Sequence, residues 1–233
     1  MATARIGNAP RRIVHHADAV AWLAAQGRIA GASVVTSLPD VSEAPGLGLD
    51  GWRRWFVGAA AAAMNATADD GVAIFFQSDI RRHGAWIDKG ALVAAAADDA
   101  RMTLLFHKIV CRVPPGSATS GRAGYAHLLG YARGVRPPRG ASADVLPDGG
   151  FVPGPRAMGV NACLAACEVV RRDTPTRTVV DPFCGWGTVL AVANAVGLDA
   201  VGVDLSARMC KKARTLELDL TRPEAPARRS VTV

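Results

Sequence analysis

The sequence lacks several features, and each absence narrows its class. None of its five cysteines (Cys111, Cys163, Cys167, Cys184 and Cys210) stands in a CxxC pair. An odd count without such pairs fits neither a disulfide-stapled secreted fold nor a metal finger. No His/Cys/Asp cluster has metal-ligand spacing, so no metal is expected. No apolar run approaches the roughly 18 residues that suggest a membrane span; the longest, residues 57–64, is mostly alanine. The opening MATARIGNAPRR has no apolar signal-peptide core, so a reduced cytoplasmic setting is expected. That segment is basic and acid-free up to Asp18, which leaves an organelle-targeting reading open. No internal repeat is visible.

Acids are also missing between Asp99 and Asp144, where Arg101, Lys108, Arg112, Arg122, Arg133, Arg136 and Arg139 all fall. These seven cations equal the net charge of +7. Such a stretch is either an electrostatic footprint for phosphate backbones or a solvated basic face. Arg112, Arg122, Arg136 and Arg139 are the candidate substrate-binding residues. A weaker basic cluster comprises Lys211, Lys212, Arg214, Arg228 and Arg229.

The 233 residues are half apolar and one-fifth charged, the balance of one globular domain. Short apolar runs alternate with alanine-rich amphipathic segments, which is the α/β pattern. Strands are predicted over 12–14, 32–35, 72–77, 102–111, 124–131, 178–180 and 200–203. Helices are predicted over 18–25, 49–66, 88–100, 158–171 and 188–196, with Asp88 as an N-cap and Ser206 opening a last helix. The strands 102–111 and 124–131 should form an antiparallel hairpin. Residues 133–155 read as a connector between a catalytic half (1–132) and a cofactor-binding half (156–220), followed by a tail (221–233).

The sharpest local signal is Val179-Val180-Asp181-Pro182-Phe183-Cys184-Gly185-Trp186-Gly187-Thr188. A strand runs into a glycine-bearing turn that lets the backbone approach a ligand, and a helix N-terminus follows. Asp204 ends the next strand, where a carboxylate can accept hydrogen bonds from both hydroxyls of a ribose. Together these ask for a nucleoside ligand, unless the turn is merely tight and the aspartate an N-cap. A Walker loop is excluded because no GK[ST] follows, and the GxGxxG spacing is absent.

The segment Asp181 to Thr188 resembles the DPFxGxGT signature of S-adenosylmethionine-dependent nucleic-acid amino-methyltransferases. Its position late in the chain is similar to the circularly permuted class of that family. In that order, Ile13-Val14-His15-His16-Ala17-Asp18-Ala19 resembles the motif whose aspartate bonds the cofactor adenine. Leu105 to Lys108 and Tyr125 to Tyr131 resemble the strand pair that closes the family sheet, and residues 156–170 resemble the helix before the cofactor loop. The resemblance implies a Rossmann-like seven-stranded class I sheet, circularly permuted, with an antiparallel closing strand. It implies S-adenosylmethionine held by Asp18, Asp181, Pro182, Phe183, Gly185, Gly187, Thr188, Asp204 and Leu205. A homodimer is implied by the resemblance alone.

Ser37-Leu38-Pro39-Asp40 occupies the place of the family's catalytic (S/N/D)PP(Y/F) tetrad. In that tetrad the first side chain and the next carbonyl accept hydrogens from a base nitrogen, and the aromatic stacks on an extruded base. Asp40 replaces the aromatic, so amino-group methylation does not follow from the motif. Asp40 could bond a base edge, accept a proton from a ring nitrogen, or cap a turn. Stacking could come from Trp52, Trp55 or Trp86. Asp79 is a further candidate, against a role pairing with Arg81 or Arg82. Cys184 is expected to be an apolar filler.

About twenty residues separate the closing hairpin from the next helix, too few for a base-reading domain. A compact basic enzyme of this kind favours a base already exposed in folded tRNA or rRNA. The alternatives are a DNA N4-cytosine or N6-adenine methyltransferase without a recognition domain, a cofactor-binding protein that has lost catalysis, and a small-molecule methyltransferase.

Overall fold

The computed structural model describes residues 9–44, 46–134 and 142–220. Its strands are β1 (Arg12–His16), β2 (Ala32–Thr36), β3 (Ala73–Gln77), β4 (Ile80–Arg82), β5 (Ala85–Ile87), β6 (Thr103–Cys111), β7 (Tyr125–Ala132), β8 (Val145–Leu146), β9 (Thr178–Asp181) and β10 (Asp199–Asp204). The helices are α1 (Ala19–Gln26), α2 (Gly48–Ala66), α3 (Lys89–Ala100), α4 (Val160–Asp173), α5 (Thr188–Ala195) and α6 (Ala207–Thr215). Every predicted strand and helix is present, with ends within about two residues.

One sheet runs in the order β1-β10-β9-β2-β3-β7-β6-β8. It is parallel from β1 to β3, then β7 pairs antiparallel with β3 and with β6. The expected count of seven strands is therefore one short. The extra strand, β8, lies in the stretch expected to be a connector and pairs parallel with β6. Lys108 helps to hold it: its Nζ donates to Ser142 Oγ at 2.9 Å and to the Ala143 carbonyl.

Side chains alternate across the sheet and so feed two cores. Val35, Ile74 and Val179 point toward α4, α5 and α6, while Val34, Phe75 and Val180 point toward α1, α2 and α3. This explains why β2, Ala-Ser-Val-Val-Thr, is buried along its full length, with its two hydroxyls bonded to Thr176 and Asp181. Both faces of the sheet are covered, giving three layers.

The chain reverses direction across the sheet between β9 and β2. From β2 it proceeds to β3 on one side, whereas from β9 it proceeds to β10 on the other. Ligands bind outside the carboxyl ends of strands at such a switch point. Here those two ends carry Asp181 and Ser37-Leu38-Pro39-Asp40, the two motifs read from the sequence.

Candidate active site

A cavity of about 1070 Å³ opens at the carboxyl ends of β1, β10, β9 and β2. Of the nine residues expected to hold a cofactor, eight line it: Asp18, Asp181, Pro182, Phe183, Gly185, Thr188, Asp204 and Leu205. Gly187 stands behind them and shapes the turn. Its φ is +82°, and a Cβ there would lie 2.6 Å from the Ala213 backbone on α6. Only glycine admits that approach.

The carboxyl group of Asp181 is buried. Its Oδ1 accepts from Thr36 Oγ1 at 2.7 Å and from the Phe183 N–H at 3.2 Å. Burial nevertheless pushes its pKa up to about 7, and the nearby Asp204 charge pushes the same way. No cation pairs with it among the described residues. Asp204 accepts from the Gly185 N–H at 3.0 Å and the Ser206 N–H at 2.7 Å, one on each oxygen. Each oxygen keeps a second lone pair. Asp18 caps α1 through Oδ1, which accepts from Ala21 N–H at 2.8 Å. The β1–β10 register brings it beside Asp204. Thr188 Oγ1 is buried at this cavity without a hydrogen-bond partner. A buried acid without a counter-ion and an orphaned hydroxyl fit a cationic, polar ligand such as S-adenosylmethionine.

Ser37, Leu38 and Pro39 also line this cavity, whereas Asp40 faces a second one of about 590 Å³. Ser37 and Leu38 border both, so the two spaces meet at that loop. The loop is fixed at both ends of its turn. The Pro39 carbonyl accepts from Trp52 Nε1 at 3.2 Å. Asp40 caps a 3-10 turn, Val41–Glu43, in a capping box: its side chain accepts from Ser42 N–H, and Glu43 Oε2 accepts from Asp40 N–H at 2.9 Å. Glu43 also pairs with Arg156 at 3.1 Å, and both residues border both cavities. Of the candidate stacking residues, Trp52 is fully buried in the core. Trp55 lines the first cavity, edge-on to Phe183 at 5.9 Å.

The second cavity is walled by a β4–β5 hairpin that the sequence reading missed. His83 and Gly84 form its two-residue turn with φ of +51° and +79°, the positive pair that such a hairpin requires. Asp79 pairs with neither Arg81 nor Arg82, one of the two readings the sequence left open. It is a buried hub, accepting from the Lys89 N–H at 2.9 Å, Tyr125 OH at 2.9 Å, Trp86 Nε1 at 3.3 Å and His127 Nε2 at 3.1 Å. Those donors hold its pKa low despite burial. The ligand atoms of Asp79, Asp88 and His127 lie within 4.8 Å of one another, a proximity that spacing along the chain had not revealed. The Asp79 oxygens are already engaged by donors.

The basic stretch is not one patch. Arg133 reaches the Thr67, Met64 and Ala100 carbonyls at the ends of α2 and α3, and Lys108 secures β8. Arg112 and Arg122 line the second cavity, and Arg136 and Arg139 lie outside the described residues. Sequence reasoning missed Lys89, which is buried and lines that cavity. A signal existed, because a cation in the first turn of a helix opposes the helix dipole. All five cysteines are buried and unpaired. Burial pushes the Cys184 thiol up, as befits a filler.

No protein-family model matches the sequence, and no curated protein matches it. Solved structures do match. A protein of Thermus thermophilus, assigned as a DNA modification methylase and complexed with S-adenosyl-L-methionine, superposes with a TM-score of 0.66 at 17% identity; the match covers 87% of this chain and 92% of that one. The PvuII DNA methyltransferase, cytosine-N4-specific, gives 0.68 at 13% identity over 91% and 90%. The M1.HpyAVI–SAM complex gives 0.60 at 11% identity over 87% and 97%. The chain therefore has the Rossmann-like fold of the class I S-adenosylmethionine-dependent methyltransferases.

Proposed function

We propose that this chain is an S-adenosylmethionine-dependent methyltransferase acting on a nitrogen of a nucleic-acid base. The observation that carries this reading is the first cavity: three carboxylates and an orphaned hydroxyl at the switch point, opening at Ser37-Leu38 onto a second, cation-lined space. Bound S-adenosylmethionine supplies a methyl group activated on a sulfonium sulfur. Asp181 supplies negative charge to a cationic ligand, Asp204 accepts from ribose hydroxyls, and Asp18 orients the adenine side. Pro182, Phe183, Gly185, Thr188 and Leu205 wall the cavity. Ser37 Oγ and the Leu38 carbonyl would accept hydrogens from the acceptor nitrogen and orient its lone pair for attack, the proton it sheds on methylation passing to water. Pro39 fixes the turn through its bond to Trp52. Asp40 is a positioning residue that caps the turn. The late cofactor loop and early Ser37 loop support a circularly permuted chain order.

DNA is the favoured acceptor. The three solved neighbours are covered over at least 90% of their chains, so a compact chain without an inserted reading domain no longer points to RNA. Two of them carry DNA in their names. The test incubates labelled S-adenosylmethionine with genomic DNA and total RNA from cells lacking the protein, with Asp181→Ala as control. Label in DNA that digestion places on a base nitrogen supports the reading. Label confined to RNA moves the acceptor to tRNA or rRNA. Cofactor binding without transfer to either polymer overturns it in favour of a small-molecule enzyme or a protein without catalysis. Sedimentation velocity tests the implied homodimer, which a single 24.2 kDa species would exclude.

A further inference from the structure

The second cavity holds more cations than its own acids neutralise. Arg156 pairs with Glu43 at 3.1 Å, Arg82 lies 4.0 Å from Asp40, and Arg81 rests 5.3 Å above Trp86. Asp79 is engaged by its buried donors, and Asp148 accepts from the Gly150 N–H at 2.9 Å. Lys89, Arg112 and Arg122 are left facing this space without an ion pair among the described residues. Arg112 meets only a neutral group, Ser78 Oγ at 3.3 Å.

Lys89 is the decisive member. The residue is 5% exposed and lines the cavity. Asp40, Glu43 and Asp79 attract it only from beyond ion-pair distance, and Arg112 repels it. Burial is the main cause that lowers its pKa, and Arg112 is lowered by burial and by Arg122. A desolvated ammonium that meets Arg112 and has no carboxylate within ion-pair distance is costly until an anion reaches it. The backbone keeps the three together. Lys89 opens α3 behind the Asp88 cap, Arg112 follows β6, and Arg122 bridges to Ile80 on the β4–β5 hairpin.

We propose that Lys89, Arg112 and Arg122 form a subsite for one phosphate group of the acceptor, beside the transfer point at Ser37-Leu38. Three separate cationic donors suit the several oxygens of a tetrahedral phosphate better than the two oxygens of a planar carboxylate. The subsite takes its adjacency to methyl transfer from the proposed function, while phosphate binding itself is measured independently of it.

Inorganic phosphate, a nucleoside 5′-monophosphate and short single-stranded DNA and RNA oligonucleotides are titrated into the full-length protein. The variants are Lys89→Met, Lys89→Arg, Arg112→Gln and Arg122→Gln, each checked for folding by thermal melting. S-adenosylmethionine is titrated in parallel. Oligonucleotide affinity falls at least about tenfold in Lys89→Met and Arg112→Gln, is retained in Lys89→Arg, and loses about one unit of salt slope per cation removed. Inorganic phosphate competes with the oligonucleotide in the wild type and ceases to do so in the variants. Should Lys89→Met fail to fold, Arg112→Gln and Arg122→Gln decide the matter. Competition by the monophosphate without oligonucleotide binding keeps the phosphate subsite and removes the polymer acceptor. Phosphate binding without any S-adenosylmethionine binding keeps the subsite and sinks the methyltransferase reading. Oligonucleotide affinity indifferent to every substitution, or a dicarboxylate competing better than phosphate, overturns the proposal.

Discussion

Asp181 is held in conflict between stability and binding. Its raised pKa means the folded chain holds the proton more tightly than the unfolded one. Its contribution to stability therefore falls as pH rises from about 4, the unfolded value, through about 7. Asp181→Asn should raise the unliganded protein's melting temperature at both pH values, and clearly more at pH 8 than at pH 5, while weakening S-adenosylmethionine binding. Thermal melts at both pH values and calorimetric titration check this; equal shifts at both pH values would remove the buried charge as the cause. Asp40 makes a contrasting case, since asparagine caps as well as aspartate. Asp40→Asn should keep both stability and methyl transfer, whereas Asp40→Ala should lose about 1 kcal/mol and much of the activity. An inactive but stable Asp40→Asn enzyme would instead make this carboxylate a proton acceptor. Asp79, with its four donors, predicts a larger effect: Asp79→Ala should cost about 3 kcal/mol in denaturant unfolding, because buried donors are left unmatched.

At the scale of elements, the turn between β9 and α5 depends on how near α6 lies. Gly185 and Gly187 both have positive φ, but a Cβ on Gly185 meets nothing within 4 Å, whereas one on Gly187 meets the Ala213 backbone. Gly185→Ala should therefore cost about 1 kcal/mol from backbone conformation alone. Gly187→Ala should cost about 3 kcal/mol, because the clash adds to the same backbone penalty. Urea titrations of the two variants separate these costs; equal losses would show that α6 gives way. Signals for most elements stand in the sequence: the β-branched run of β2, the apolar run of β3, the Asp88 and Ser206 caps, and the turn between β6 and β7. The β4–β5 hairpin escaped because its strands have three residues each, too short for an alternation to register. The two-residue β8 escaped for the same reason, and its pairing rests on a distant lysine.

At the scale of the molecule, the two ends of the described chain meet. Arg12 Nη1 donates to the Ala213 carbonyl at 3.1 Å and to the Leu216 carbonyl at 2.6 Å, while β1 pairs with β10 along its full length. The sheet therefore does not depend on where the chain is cut. A chain reopened between Gly134 and Ser142, with Leu220 joined to Ala9 by a flexible linker, should fold with a melting temperature within about 10 °C of the original. It should bind the same cofactor, as calorimetry would report. Failure to fold would mean that the existing order of synthesis or the excised ends matter more than the packing.

The sequence by itself determined the α/β class, the helices and the longer strands, and the two motif loops. Each of these is written in local periodicity, capping residues and glycine placement, which act within a few residues of themselves. That Asp181 and Asp204 stand at one cavity was legible for the same reason, since an acid at a strand end is placed by that strand. Only the tertiary structure decided which charges are free. Arg133 and Lys108 share a basic stretch with Arg112 and Arg122, yet Arg133 is consumed by carbonyls and Lys108 by Ser142, Ala143 and Asp144, while the second pair faces a cavity. Lys89 drew no notice in the sequence, because the hairpin just before it left no pattern and the groups that surround it, Asp40, Glu43 and Arg112, come from far along the chain. Burial and counter-ion supply depend on what the fold brings together from far apart, and a linear pattern carries little of that.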